Sequence, residues 1–219
     1  MEITWYGHSC FRLTERSYAT VVTDPFDNKS IGYSPLKLRS DIVTVSHAAP
    51  GHNNADAVKG TSHVIDGAGE FEIGGVFITG VQTDGANAGR KKAKENGSRN
   101  TIYVFDYDGI TVAHLGDLKQ TPTQSEIESL GTINVALIPV GGGGGLNAAK
   151  AAEVISLVEP NLVIPMHYAT PVAKLSLDSL NKFIKEMGLS TPETQASLKV
   201  TRSALPNETR VVVLDYQSS

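Results

Sequence analysis

Asp41-Ile42-Val43-Thr44-Val45-Ser46-His47-Ala48-Ala49-Pro50-Gly51-His52-Asn53-Asn54 is the stretch on which the reading of the chain turns. Ile42, Val43 and Val45 form an apolar, β-branched run, the pattern of a buried strand, and Pro50-Gly51 ends regular structure directly afterwards. His47 and His52 therefore stand at the mouth of a strand, where a rigid scaffold fixes position and a loop exposes the groups it carries. Taken alone, two histidines in a polar surface turn would read the same way. What decides is whether other groups converge on them.

Upstream, residues 3–6 alternate, Gly7-His8-Ser9 interrupts, residues 10–13 resume the pattern, and residues 19–23 read as a strand ending in Asp24-Pro25. His8 and Asp24 both fall just beyond strands; either could face the same opening as His47, and each also suits a simple turn. Residues 27–39, with Gly32 and Pro35, read as a loop, and residues 55–59 as one helical turn. Downstream, residues 63–65, 71–73 and 76–81 continue the β pattern, with Gly74-Gly75 as a hairpin turn. Residues 101–107 and 110–114 make a second hairpin around Asp108-Gly109 and run into His114-Leu115-Gly116-Asp117. Gly116 permits a sharp turn that aims Asp117 sideways, which suits a metal ligand, a general base or a cap.

The period then changes. Thr121-Pro122 starts a helix that stops near Leu130-Gly131, and Asn147 caps a second whose apolar face is Ala148, Ala151, Val154, Ile155 and Val158. Residues 162–166 are a buried strand ending in Pro165-Met166-His167-Tyr168, a third imidazole at a strand mouth. Ser176 is expected to cap a helix carrying Leu177, Leu180, Phe183, Ile184 and Met187, and residues 198–200 and 210–214 are closing strands. Between strand and helix lie five glycines, residues 141–145; backbone N–H groups at Gly142, Gly143 and Gly144 could receive an anion, and a flexible connection explains them equally. Their spacing matches neither a dinucleotide nor a P-loop fingerprint. The polar segment 83–100 holds Arg90, Lys91, Lys92, Lys94 and Arg99, a solvated excursion or a flap over an anionic substrate.

No linker or shift of composition divides the 219 residues, so one domain over residues 1–219 is expected. With 19 basic against 23 acidic residues the balance argues against a nucleic-acid or anionic-membrane binder and leaves room for a small anionic ligand. The single Cys10 forbids an intrachain disulfide and fits a reducing compartment. The opening residues lack a leader pattern, and no stretch approaches the roughly 18 apolar residues of a membrane span. A cytoplasmic location follows as an expectation.

Val45-Ser46-His47 through His52-Asn53, His114-Leu115-Gly116-Asp117 and Ile164-Pro165-Met166-His167-Tyr168, together with Trp5 through Phe11 and Thr23-Asp24-Pro25, resemble the metallo-β-lactamase superfamily, in particular its small single-domain hydrolases. The resemblance covers nearly the whole chain and implies an α/β (α+β) four-layer αββα sandwich with a metal cleft at one edge of two sheets. That family's loop reads His-x-His-x-Asp-His; His47 and His52 match its first and last histidines, while Ala49 and Gly51 stand where it has histidine and aspartate. The histidine expected after residues 76–81 is also absent, with Asp84 and Gly85 in its neighbourhood. A two-zinc centre is not expected.

By the same resemblance, His52, Asp117 and His167 hold one metal, and three protein ligands are what a catalytic zinc uses when its fourth position is left to water. The resulting expectation is a metal-dependent hydrolase with one divalent ion, zinc before manganese or iron. In it His47 is a fourth ligand or, with Asp117, a proton-handling group, and His8, Asp24 and His114 are outer residues that fix imidazole orientation. Asp84 or Glu70 could supply a missing carboxylate. The alternative is a metal-free pseudo-enzyme whose cleft binds an anionic ligand, and a nucleic-acid processing role stands third. The scaffold serves many chemistries, so the substrate is not readable.

Overall fold

The computed structural model describes residues 1–83 and 99–218. Two sheets face each other. The first runs, in spatial order, Leu198–Lys199, Glu2–Trp5, Phe11–Thr14, Val21–Thr23, Ile42–Thr44 and His63–Ile65. The second runs Glu193–Gln195, Arg210–Leu214, Leu162–Met166, Val135–Pro139, Thr111–His114, Asn100–Asp106, Val76–Thr83 and Gly69–Ile73. Alternation in the opening strands sends Ile3, Trp5, Phe11 and Leu13 inward, where they join Ile78, Ile102, Phe105 and Leu137 of the second sheet in one continuous core.

The strands Val135–Pro139 and Leu162–Met166 are buried along their whole length, as parallel strands covered on both faces must be. Helix Ala148–Val158 supplies part of that cover through Ala148, Ala151, Val154 and Ile155, and helix Leu180–Glu186 through Phe183 and Ile184. Outside the first sheet a second apolar cluster gathers Val22, Phe26, Ile31, Leu38, Val43 and Val58 under the one-turn helix Asn28–Ile31 and a small two-stranded sheet, Leu38–Arg39 with Val58–Lys59. These are the layers of an αββα sandwich. Among the described residues no helix is long and apolar enough to cross a membrane.

Several local expectations change. Residues 27–39 are not simply a loop, because the Asp27 carboxylate accepts from the Lys29 and Ser30 amides and caps a helical turn closed by Gly32. The helix expected from Thr121-Pro122 begins at Gln124, where Thr123 and Glu126 form a reciprocal capping box. Ser176 caps nothing: the Asp178 amide donates to Gly141 O (2.7 Å) and Ala169 N to Asp178 O (2.9 Å), which holds that segment extended until Ser179. Residues 55–57 form a 3₁₀ turn, and Val58–Lys59 turns to strand. Arg90, Lys91, Lys92, Lys94, Asp84 and Gly85 lie outside the described residues; Arg99 donates to Gln82 Oε1 at 3.0 Å.

Direction is what matters for the site. Val21–Thr23 and Ile42–Thr44 are parallel neighbours, and Glu2–Trp5 runs the same way across one intervening antiparallel strand, so His8, Asp24 and His47 leave the first sheet at one end. In the second sheet Thr111–His114, Val135–Pro139 and Leu162–Met166 are parallel in sequence, so Asp117, the glycine run and His167 emerge together. Cross-sheet hydrogen bonds bring the two ends face to face: His167 N to His8 O (3.1 Å), Thr101 N to Ser46 O (2.9 Å), and His114 Nε2 to Ser9 O (2.9 Å).

Candidate metal centre

His8 follows its strand through a tight turn in which Cys10 N donates to Gly7 O and the buried Trp5 indole donates to His8 O at 3.0 Å. His8, Asp24 and His167 are non-glycine residues at φ 51°, 40° and 53°. Left-handed backbone costs an ordinary residue roughly 1–2 kcal/mol, and three such residues around one cleft is the clustering of strain that marks working sites. Gly116, at φ 61°, makes the sharp turn before Asp117, and a Cβ there would lie 2.3 Å from Asn100 Oδ1. That oxygen instead accepts the Asp117 amide at 2.9 Å, while Asn100 Nδ2 donates to Leu115 O at 3.0 Å.

Asp24 is fully buried, and its oxygens accept Ser46 N (2.7 Å), Ser46 Oγ (2.6 Å) and His52 Nδ1 (2.7 Å). A carboxylate only accepts, so His52 carries its proton on Nδ1 and turns the Nε2 lone pair inward. Ser46 Oγ, having given its hydrogen to Asp24, accepts from His47 Nδ1 at 3.0 Å, which leaves His47 Nε2 bare as well. One buried anion thus sets the tautomers of two histidines, an arrangement that orients imidazoles toward metals. Burial pushes the Asp24 carboxyl up, but the His114 and His52 rings and the His52 and Ser46 hydrogen bonds together hold it below its usual range.

Among the described residues two groups hold candidate ligand atoms that all lie within 4.8 Å of one another inside each group: His8, His52 and His167, and Asp24, His47 and His52. The second shares an oxygen already spent on hydrogen bonds. Asp117 belongs to neither group, yet its Oδ1 lies 4.0 Å from His167 Nε2. Asp117 Oδ1 and His167 Nδ1 are buried without a hydrogen-bond partner among the described residues, a state that calls for an explanation such as a bound ion or water. Burial, reinforced by the neighbouring histidines, lowers His8 well below the ordinary histidine value, and burial first brings His47 and His167 to about 4. Neutral, acceptor-bearing imidazoles are the form that binds a divalent cation.

His114 is set apart: fully buried, its pKa lowered by burial, it joins no ligand group and pins the sheets through Ser9 O. Glu70 is exposed on the Gly69–Ile73 edge strand, away from both groups. The run Gly142, Gly143 and Gly144, which could receive an anion, has part of its backbone already engaged. The Gly142 amide donates to Leu146 O and Gly145 N to Gly142 O. The carboxylates of Asp178 and Asp117 also lie against the run, 3.7 Å from a Cβ position at Gly142 and 2.4 Å from one at Gly145. Negative charge there weighs against an anion. Sequence reasoning did not single out Ser46 or Asn100; Ser46, directly before His47, is readable in hindsight as a small hydroxyl in the strand-to-loop step.

Comparison with known proteins agrees with this architecture. The family description "Beta-lactamase superfamily domain" matches residues 2–167. A crystal structure from Thermotoga maritima, provisionally described as a Zn-dependent hydrolase of the metallo-β-lactamase superfamily, is 36% identical over 97% of this chain and 97% of that one, with a TM-score of 0.79. A UPF0173 metal-dependent hydrolase of Thermoplasma acidophilum is 29% identical over 191 residues, 78% of this chain and 84% of its own. Another from Methanopyrus kandleri is 28% identical over 217 residues, 86% and 94% of the two chains. With the strand order, the cleft at the edge of the sheets and these matches together, the chain belongs to the metallo-β-lactamase superfamily.

Proposed function

We propose that the chain is a cytoplasmic metal-dependent hydrolase acting on a small molecule with one divalent ion, zinc before manganese or iron. His52, His167 and Asp117 hold the ion and His47 stands beside it as a fourth ligand or proton-handling group. The observation that carries the reading is the Asp24–Ser46–His47 and Asp24–His52 network, which leaves both Nε2 lone pairs bare. Relatives named as metal-dependent and Zn-dependent hydrolases support it. Such an ion supplies Lewis acidity and water made acidic to a pKa of about 7.

The chain's own residues do the rest. Asp117, fixed through its amide by Asn100, offers a carboxylate for orienting a reactant, and His47, half-buried and neutral, accepts a proton at Nε2. Asp24 keeps His52 from turning. The test is hydrolysis of ester, thioester, phosphoester and lactam probes by zinc-loaded protein, with and without chelator. Turnover of one class that chelator abolishes is expected; no chelator-sensitive turnover of any class would overturn the reading. His52→Ala and His167→Ala should each abolish zinc uptake, whereas His63→Ala, exposed and paired with Ser62 Oγ, should leave it intact.

A metal-free binding protein is the second reading, favoured by Ala49 and Gly51 at ligand positions. It requires the cleft to hold its ligand with zinc absent.

A further inference from the structure

Two ligand atoms roughly 2.0–2.1 Å from a tetrahedral zinc stand roughly 3.3 Å from each other. His8 Nε2 and His52 Nε2 are 3.2 Å apart, at that spacing, whereas Asp117 Oδ1 and His167 Nε2 are 4.0 Å apart, near the widest separation one ion can span. The His8 ring also lies between the other two, its centroid 4.2 Å from that of His167 and 4.7 Å from that of His52, which are themselves 5.7 Å apart. We infer that His8 is a direct metal ligand, and that the ion of the proposed hydrolase sits in a three-imidazole cage of His8, His52 and His167, with Asp117 at its side. The inference rests on the single-ion reading above and changes its ligand set.

Space for His8 is made by Gly51. A Cβ at position 51 would lie 2.7 Å from His8 Nε2 and 3.0 Å from Ile31 Cδ1, so any side chain there forces the ring out of the cage. Gly51 does not need a positive φ, and its lack of a side chain is used for room rather than for backbone freedom. The ring is aimed by its own backbone: φ 51° at His8 is held by the Trp5 indole and the His167 amide, both donating to His8 O. Asp24 supports the cage from behind by keeping His52 Nε2 unprotonated, and Asp117 Oδ1 lies 4.0 Å from His167 Nε2. His8 and His52 are then held together by a shared ion in place of the Nε2–H···Nε2 bond they make without one.

The test compares full-length wild type with His8→Asn, Gly51→Ala and Asp24→Asn, using zinc alone as probe for affinity and X-ray absorption for the imidazole count. Asparagine tolerates the left-handed backbone at position 8, and equal melting temperatures in excess chelator show that a variant is folded. Wild type should bind one zinc with three imidazoles. His8→Asn and Gly51→Ala should each drop the count to two and weaken binding by more than the roughly 10–100-fold that loss of an outer residue brings. Should His8→Asn not fold, Gly51→Ala decides. Unchanged affinity and two imidazoles already in wild type would overturn the role of His8 and leave the single-ion reading standing; no zinc uptake by wild type would overturn both.

Discussion

Replacing Asp24 by asparagine keeps the shape of the side chain and reverses the polarity of one end of it. His52 Nδ1 then faces either an amide donor or a weaker acceptor, and its proton is free to move to Nε2, the atom that should stay bare. Ser46 N keeps a carbonyl acceptor, so the fold is expected to survive with a loss of about 1–3 kcal/mol. Zinc affinity should fall roughly 10–100-fold by titration against a chromophoric chelator; an unchanged affinity would mean that Asp24 serves the fold alone. Cys10 makes the opposite kind of prediction. It is wholly buried, so a thiol reagent should leave it unmodified in native protein and react once the chain is unfolded in denaturant.

Two elements position the ligands from a distance. Tyr103, on Asn100–Asp106, reaches across the sandwich to Val45 O (3.1 Å), Ile65 O (3.2 Å) and Gly67 O (3.3 Å), tying the second sheet to the strand that leads into the histidine loop. Tyr103→Phe should cost about 1–3 kcal/mol in chemical denaturation, since the one phenolic hydrogen shared among these carbonyls is lost. The glycine run acts by its slimness: a Cβ at Gly141 would lie 2.2 Å from His167 O, a backbone atom with nowhere to go. Gly141→Ala should therefore destabilise by about 1–3 kcal/mol and disturb zinc binding together. An alanine that left both unchanged would show that the turn yields easily.

What the sequence disclosed at this scale was local. The Asp108-Gly109 turn, with φ 52° and 80°, the Asn147 cap and the three strand mouths were each legible from neighbouring residues. Nothing local to residues 141–145 shows that the carboxylates of Asp117 and Asp178 will lie against them. That His8 could face the same opening as His47 was readable from its strand mouth; that Gly51, 43 positions later, leaves room for its ring was not, because strand spacing does not encode that pairing. The Ser176 cap failed because tethering of Asp178 to Gly141 outweighed local propensity.

For the whole molecule, four largely buried imidazoles make stability depend on pH. His47 and His167 are lowered to about 4, and His8 and His114 are lowered too, chiefly by burial. Their folded pKa values lie below the unfolded value of about 6.5, so below that pH the unfolded chain binds protons the folded one refuses. Their stabilisation is complete above about 6.5 and is lost as pH falls toward 4. In chelator-treated protein the melting temperature should be level above pH 7 and drop steadily from pH 6.5 to 4.5. Each extra proton taken up by the unfolded chain costs roughly 1.4 kcal/mol per pH unit. A flat profile over that range would show that the histidines are not buried together in solution.

The claim beneath all of this is that the cleft exists to hold an ion, and metal analysis of protein purified without chelator tests it most directly. About one equivalent of zinc, or of manganese or iron, per chain is expected, restored by zinc after stripping. Less than about half an equivalent of any transition metal, with no gain on adding zinc or manganese, would contradict it.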